Sequence, residues 1–226
     1  MAPDAGEDGD ASADPDVPPP PVPSDRLDDW ERTDATVDRL YGVDGADVRG
    51  HTLVYEDRRL RAGVRDATGG ALDQSWRFFF ATRLGFRPPL APGVEPTLVP
   101  MVRPEAVRRF RADLEDRGVE DVESGRRERV RTETGKRVRL GQVTGEIPLP
   151  DPNSDQDPDS GAVSPAADAV PVEGWVGVWY DEAVLVAGGA YPRTALVRAF
   201  DADDERLSLS PSAARDELLA LVRAVG

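Results

Sequence analysis

The residues best equipped for chemistry are the cations between Arg126 and Arg139. Arg126, Arg127, Arg129, Arg131, Lys136, Arg137 and Arg139 stand against only Glu128 and Glu133, in a chain with 43 Asp+Glu and 28 Lys+Arg. In a hairpin, alternating residues point to one face, so this island is a candidate surface for phosphates or nucleic acid. The other reading is the solvated side of a hairpin whose valines point inward. Salt argues against nucleic acid. Five neutralised phosphates would cost ~4.5 decades of affinity per tenfold rise in salt, and no aromatic residues interleave for base stacking.

A second candidate is the stretch "GWVGVW". In strand geometry Trp175, Gly177 and Trp179 share one face, and Gly177 leaves a gap between two indoles. A flat ligand fits such a gap, and so does a side chain from the next strand. Downstream, the small residues of Ala187-Gly188-Gly189-Ala190 read as a place of close backbone packing.

Other chemistries are poorly supplied. With no cysteine, disulfides, thiol nucleophiles and Cys-ligated zinc are excluded. The single histidine, His51, opens a strand and reads as a hydrogen-bonded structural residue; any Ser–His–Asp triad would depend on it. "ETGKR" lacks the earlier glycine and the Ser/Thr of a phosphate-binding loop. Asp155, Asp157 and Asp159 alternate as in a calcium loop, but Gly161 comes one position late and Ala166 replaces the closing glutamate. Asp201, Asp203, Asp204 and Glu205 read as a solvated charge run. These readings assign no catalytic residue, metal or cofactor.

Composition sets the solvent. The formal net charge is −15, the sequence pI is near 4.5 and Lys136 is the only lysine. Such a charge repels itself in dilute buffer, and at ~1 M salt a Debye length of about 3 Å screens most of that repulsion. Acid excess with arginine as nearly the sole cation points to a halophilic, archaeal protein. The opening "MAPDAGEDGD" has neither the basic nor the apolar region of a signal peptide, and no uninterrupted apolar run approaches membrane-spanning length. A soluble cytoplasmic protein is expected.

The elements follow from periodicity. Residues 1–24, acidic and proline-rich, predict a disordered tail. Residues 25–226 predict one domain, interrupted by a disordered acidic loop at about 150–171. "ATVDRLY", "HTLVYED" and "SWRFFFATRLGF" read as strands, and "DRRLRAGVRDATGG" as a short helix. Pro88 to Pro100 predict an extended connection. "RPEAVRRFRADLEDRG" reads as a helix opening at Pro104, with Val107, Phe110 and Leu114 as its buried stripe. Two hairpins follow, turning at Thr134-Gly135 and at Asp181-Glu182. A last helix is capped by Ser210, with Ala214, Leu218, Leu221, Val222 and Val225 facing inward. The fold class is α+β: a single antiparallel sheet with the two main helices on one face.

"GHTLVYEDRRLR", "RFFFATRL" and "GWVGVW…VAGGAYP" together resemble an uncharacterised protein family of halophilic archaea, over about residues 30–226. That resemblance implies no activity, cofactor or site. At the level of fold the chain is similar to Mog1/PsbP-like sandwiches. The functional expectation is a non-catalytic binding or interaction domain, with the ligand left open between two surfaces: Trp175/Gly177/Trp179, facing a ligand or protein partner, and the Arg126–Arg139 hairpin, facing an anion or nucleic acid. A carboxylate or metal-dependent enzyme is the further alternative, and it requires carboxylates converging on one cleft.

Overall fold

The computed structural model describes residues 17–43, 46–149 and 167–226. Seven strands lie in one sheet: β1 (Trp30–Val43), β2 (Ala46–Asp57), β3 (Phe78–Arg87), β4 (Glu120–Arg131), β5 (Arg137–Pro148), β6 (Ala169–Asp181) and β7 (Ala183–Pro192). Helix α1 (Arg58–Ala67) follows β2, α2 (Glu95–Asp116) follows β3, and α3 (Leu196–Ala199) and α4 (Pro211–Arg223) end the chain. The spatial order is β1-β2-β3-β7-β6-β5-β4, with every neighbouring pair antiparallel. The expected α+β class with a single antiparallel sheet is what forms.

The helices are arranged differently from the expectation. The two main helices do not share a face: α2 covers one side of β6 and β7, and α4 covers the other side of β7. The reason lies in the central strands. β7 is buried at every position, so both of its faces need cover, and helices on one side alone would leave an apolar face in water. The register shows the two-sided fit. Gly174 pairs with Ala190, and Trp175 with Gly189, so Gly174 and Gly189 point to opposite faces. A Cβ on Gly174 would sit 2.7 Å from Phe110 Cζ of α2; one on Gly189 would sit 2.8 Å from Leu218 Cδ1 of α4 and collide with the Phe78 carbonyl. Each glycine seats a helix against the sheet, as expected for packing glycines.

Helix α2 also begins earlier than Pro104. It runs through Pro100 and Pro104 from Glu95, and the region expected to be extended supplies its first turns. Each interior proline costs about 3 kcal/mol. Opposing that cost, Leu98 and Val102 extend the stripe of Phe110 and Leu114 into the core, each burial stabilising by about 1.5–3 kcal/mol. Both prolines face solvent.

The N-terminal boundary moves as well. Residues 1–16 lie outside the described residues, but Val17, Pro20 and Pro23 are buried, with Val17 packed over Gly85 and its carbonyl 2.8 Å from His51 Nδ1. The proline segment is therefore part of the layer that also contains α4, beside Leu27 and Trp30. Of the acidic loop, residues 150–166, including the calcium-like aspartates, lie outside the described residues, and β6 already begins at Ala169.

Two buried polar nodes lock the layers. Arg77, 4% exposed, lies 2.9 Å from Asp57 and 2.9 Å from Glu217 of α4, with its guanidinium 4.7 Å from the Trp30 ring. Asp57 also caps α1, accepting from the Leu60 amide. On the other node, Glu173 accepts hydrogen bonds from Trp175 Nε1 (2.8 Å) and the Tyr191 hydroxyl (2.5 Å). Burial alone would push the Glu173 carboxyl up, but bonds from Tyr191, Trp175 and Gln142 and the charge of Arg193 hold it below its ordinary value. Burial, reinforced by Glu173, pushes the Tyr191 phenol above its ordinary value.

Gly189→Ala should lower the unfolding free energy by about 1–3 kcal/mol, because no side chain can move the Phe78 carbonyl cheaply; guanidinium denaturation measures it. Glu173 and Tyr191 give a pH signature. A depressed carboxyl stabilises above its unfolded pKa of about 4.3 and loses that contribution as pH falls through the folded value; a raised phenol stabilises below about 10 and loses its contribution above. Tyr191→Phe should therefore cost about 1.5–3 kcal/mol between those limits. The difference from the unmodified protein should shrink below pH 4 and above pH 10 in denaturation curves taken across pH.

Candidate functional site

Helix α2 lies over β6 and β7 and touches β4, and its 22 residues leave parts of the outer strands on its face open on both flanks. On the β4–β5 flank, strand alternation decides which cations meet. Arg129 pairs with Arg139, Arg131 with Arg137, and Arg127 with Gly141. Gly141 faces α2, where its missing Cβ would meet Val107, so Arg127, Arg129, Arg131, Arg137 and Arg139 all project to the α2 face. Val130, Val138 and Leu140 point the opposite way into the core under α4.

These five arginines line two adjoining hollows of about 350 and 620 Å³, which share Arg103 of α2 and Arg139. Among the described residues, none of the six has an acidic side chain within ion-pairing distance, although acids outnumber bases in the chain. Arg131 is held by the Gly135 carbonyl at 2.9 Å. The Nε of Arg103 is buried without a hydrogen-bond partner. Burial, and then repulsion from Arg139 and Arg127, keeps the Arg103 guanidinium below its ordinary value. It remains charged at any working pH, and an anion between these groups would relieve both penalties.

The other two cations of the island are spent elsewhere. Arg126 turns to the opposite face and stacks 5.6 Å from the Trp175 ring, and Lys136 pairs with Asp181 at 3.3 Å. "ETGKR" is the hairpin turn itself, closed by the Thr132 amide donating to the Lys136 carbonyl. Sequence reasoning missed Arg103. It opens the stretch read as a helix, and no spacing links it to a hairpin more than twenty residues away. Only the docking of α2 brings it in.

The Trp175/Gly177/Trp179 candidate is corrected by packing. Trp175 is 0% and Trp179 2% exposed, and a Cβ on Gly177 would lie 2.5 Å from Leu140 Cδ2 and 2.7 Å from Val138 Cγ1. The gap between the indoles is filled by the neighbouring strand, so these residues are core. Of the acids from Asp201 to Glu205, Asp204 caps a short 3-10 turn and pairs with Arg206 at 2.6 Å. Among the described residues no group of three or more His, Asp or Glu side chains is placed to hold a metal ion.

On the β1–β3 flank of α2 a second cleft of about 240 Å³ carries the cross-strand row Thr36, Thr52 and Thr82, with Asp34, Asp38 and Asp113 facing Arg109 and Arg117. Desolvation pushes the Asp113 carboxyl up, against the pull of Arg109 and Arg117. Its charges are mixed and specify no one ligand chemistry.

The chain belongs to the family described as a domain of unknown function (DUF6517), whose model matches residues 19–226. No curated protein and no solved structure matches it. Among the described residues no helix is long and apolar enough to cross a membrane.

All four tryptophans are buried, Trp30 at 8% and Trp76 at 2% alongside the pair above. Their emission should be quenched only weakly by acrylamide in the folded protein. Leu140→Ala, which empties the space beside Gly177, should cost about 2–5 kcal/mol and raise quenching.

Proposed function

We propose that this protein is a non-catalytic binding domain whose working surface is the arginine groove between α2 and the β4–β5 hairpin, and whose ligand is anionic. One observation carries the reading: six arginines from α2, β4 and β5 converge on one groove with no acidic partner among the described residues, in a chain of net charge −15. Elsewhere among the described residues some arginines pair with carboxylates, as Arg26, Arg61, Arg108 and Arg206 do, and others stand singly; the groove differs in gathering six in one place. Gathering six like charges in one groove has an electrostatic cost that a bound anion reduces. The near-absence of lysine and the acid excess elsewhere support a halophilic setting, in which the groove works against strong screening.

Inorganic tripolyphosphate is the simplest probe. Calorimetric titration should show binding to the unmodified protein and its loss in the Arg129→Glu/Arg139→Glu double variant. Arg58→Glu/Arg59→Glu makes the same charge change on the exposed side of α1 and should leave binding intact. Equal binding by both double variants would remove the groove from the reading.

A further inference from the structure

Resting on the groove as the binding surface, we infer that its ligand is the phosphate backbone of double-stranded nucleic acid, held without reading base sequence. The geometry is linear. A compact anion is bound by cations that converge on one point, whereas these arginines are strung along a strand pair. From Arg127 to Arg131 the strand advances four residues, roughly 13 Å at about 3.3 Å per residue. Arg137 and Arg139 form a parallel rank on the next strand, about 4.8 Å away, and Arg103 stands opposite on the helix. One strand of a duplex advances about 3.4 Å along the helix axis per phosphate, so a rank of this length covers the axial rise of about four phosphates.

The lining also selects among nucleic acids. No aromatic side chain borders either hollow, so unpaired bases find nothing to stack on, which disfavours a single strand. The floor near α2 is Val107 and the backbone of Gly141, and the Gln142 side chain is engaged with the Arg126 amide and Glu173, so little is present to read base edges. Arginine forks match phosphate oxygens in pairs, and their fixed β-ribbon holds that spacing before the ligand arrives. The acidic remainder of the surface repels a polyanion in every other orientation, so an encounter is productive only groove-first. The hairpin read as sequence offers cations on both faces, interspersed with acids; the folded hairpin separates them, sending Glu128 to Arg215 on the far side.

The test is fluorescence anisotropy of the full chain with a labelled 16-base-pair DNA duplex, over the lowest tenfold range of salt in which circular dichroism shows the chain folded, so that counterion release is exposed without loss of the fold. A duplex of scrambled sequence, the matching single strand, polyglutamate and tripolyphosphate serve as competitors. The expected result is a slope of log affinity on log salt of about −3.5 to −4.5, for four to five phosphates, equal for both duplexes. The duplex should bind more tightly than every other competitor, and Arg129→Glu/Arg139→Glu should abolish binding while circular dichroism shows the fold retained. Should that variant unfold, Arg129→Gln alone should reduce the slope by about 1. Binding of tripolyphosphate, polyglutamate or single strand at least as tight as duplex overturns this inference and leaves the anion-binding reading standing. Absence of binding by every probe overturns both.

Discussion

The central hairpin β6–β7 must be covered on both faces, and the rest of the architecture follows from that requirement. β7 is buried at all positions and β6 along an unbroken run from Val172 to Trp179. Hydrophobic burial at about 25 cal/mol per Å² makes an uncovered apolar face expensive, so one helix has to dock on each side. Phe110 and Leu218 enter the space left by Gly174 and Gly189, which fixes α2 and α4 on opposite faces of two adjacent residue pairs. The N-terminal segment completes the layer beside α4, and the Arg77 cluster ties that layer to α1 and β3.

The groove is a consequence of this placement. A single helix over β6 and β7 is too narrow to cover a seven-stranded sheet, whose strands stand about 4.8 Å apart. The outer strands on its face remain open, and on one flank the open surface is paved with arginine. Polar cover is what an exposed strand edge requires, since charge there also discourages pairing with another chain. Solubility alone would be met by acids, the chain's commoner charge; the gathering of six arginines on one groove is the feature that solubility does not explain.

Much of the fold was legible as sequence. The period-two pattern of Trp76 to Phe80 placed alternate rings on opposite faces, and Phe78 and Phe79 do fall in different cores. Ser210 caps α4 through the Ala213 amide, and both hairpins turn where their polar residues stand. The start of α2 was illegible because local proline chemistry argues against a helix, whereas Leu98 and Val102 gain their stabilisation only against a sheet formed elsewhere in the chain. The same limit applied to Gly177, since its gap is filled by Leu140, more than thirty residues away.

The sequence by itself determined the charge balance, the absence of thiol chemistry, most strands, the capped last helix and the existence of a cationic hairpin. Those properties reside in composition and in spacings of two to four residues, and water alone imposes them. Only the tertiary structure decided which cations share a face with α2, that Arg103 joins them, that Arg126 and Lys136 do not, and that the two indoles are core. These outcomes depend on strand register and on which face each helix covers, both set by close packing between residues far apart in the chain.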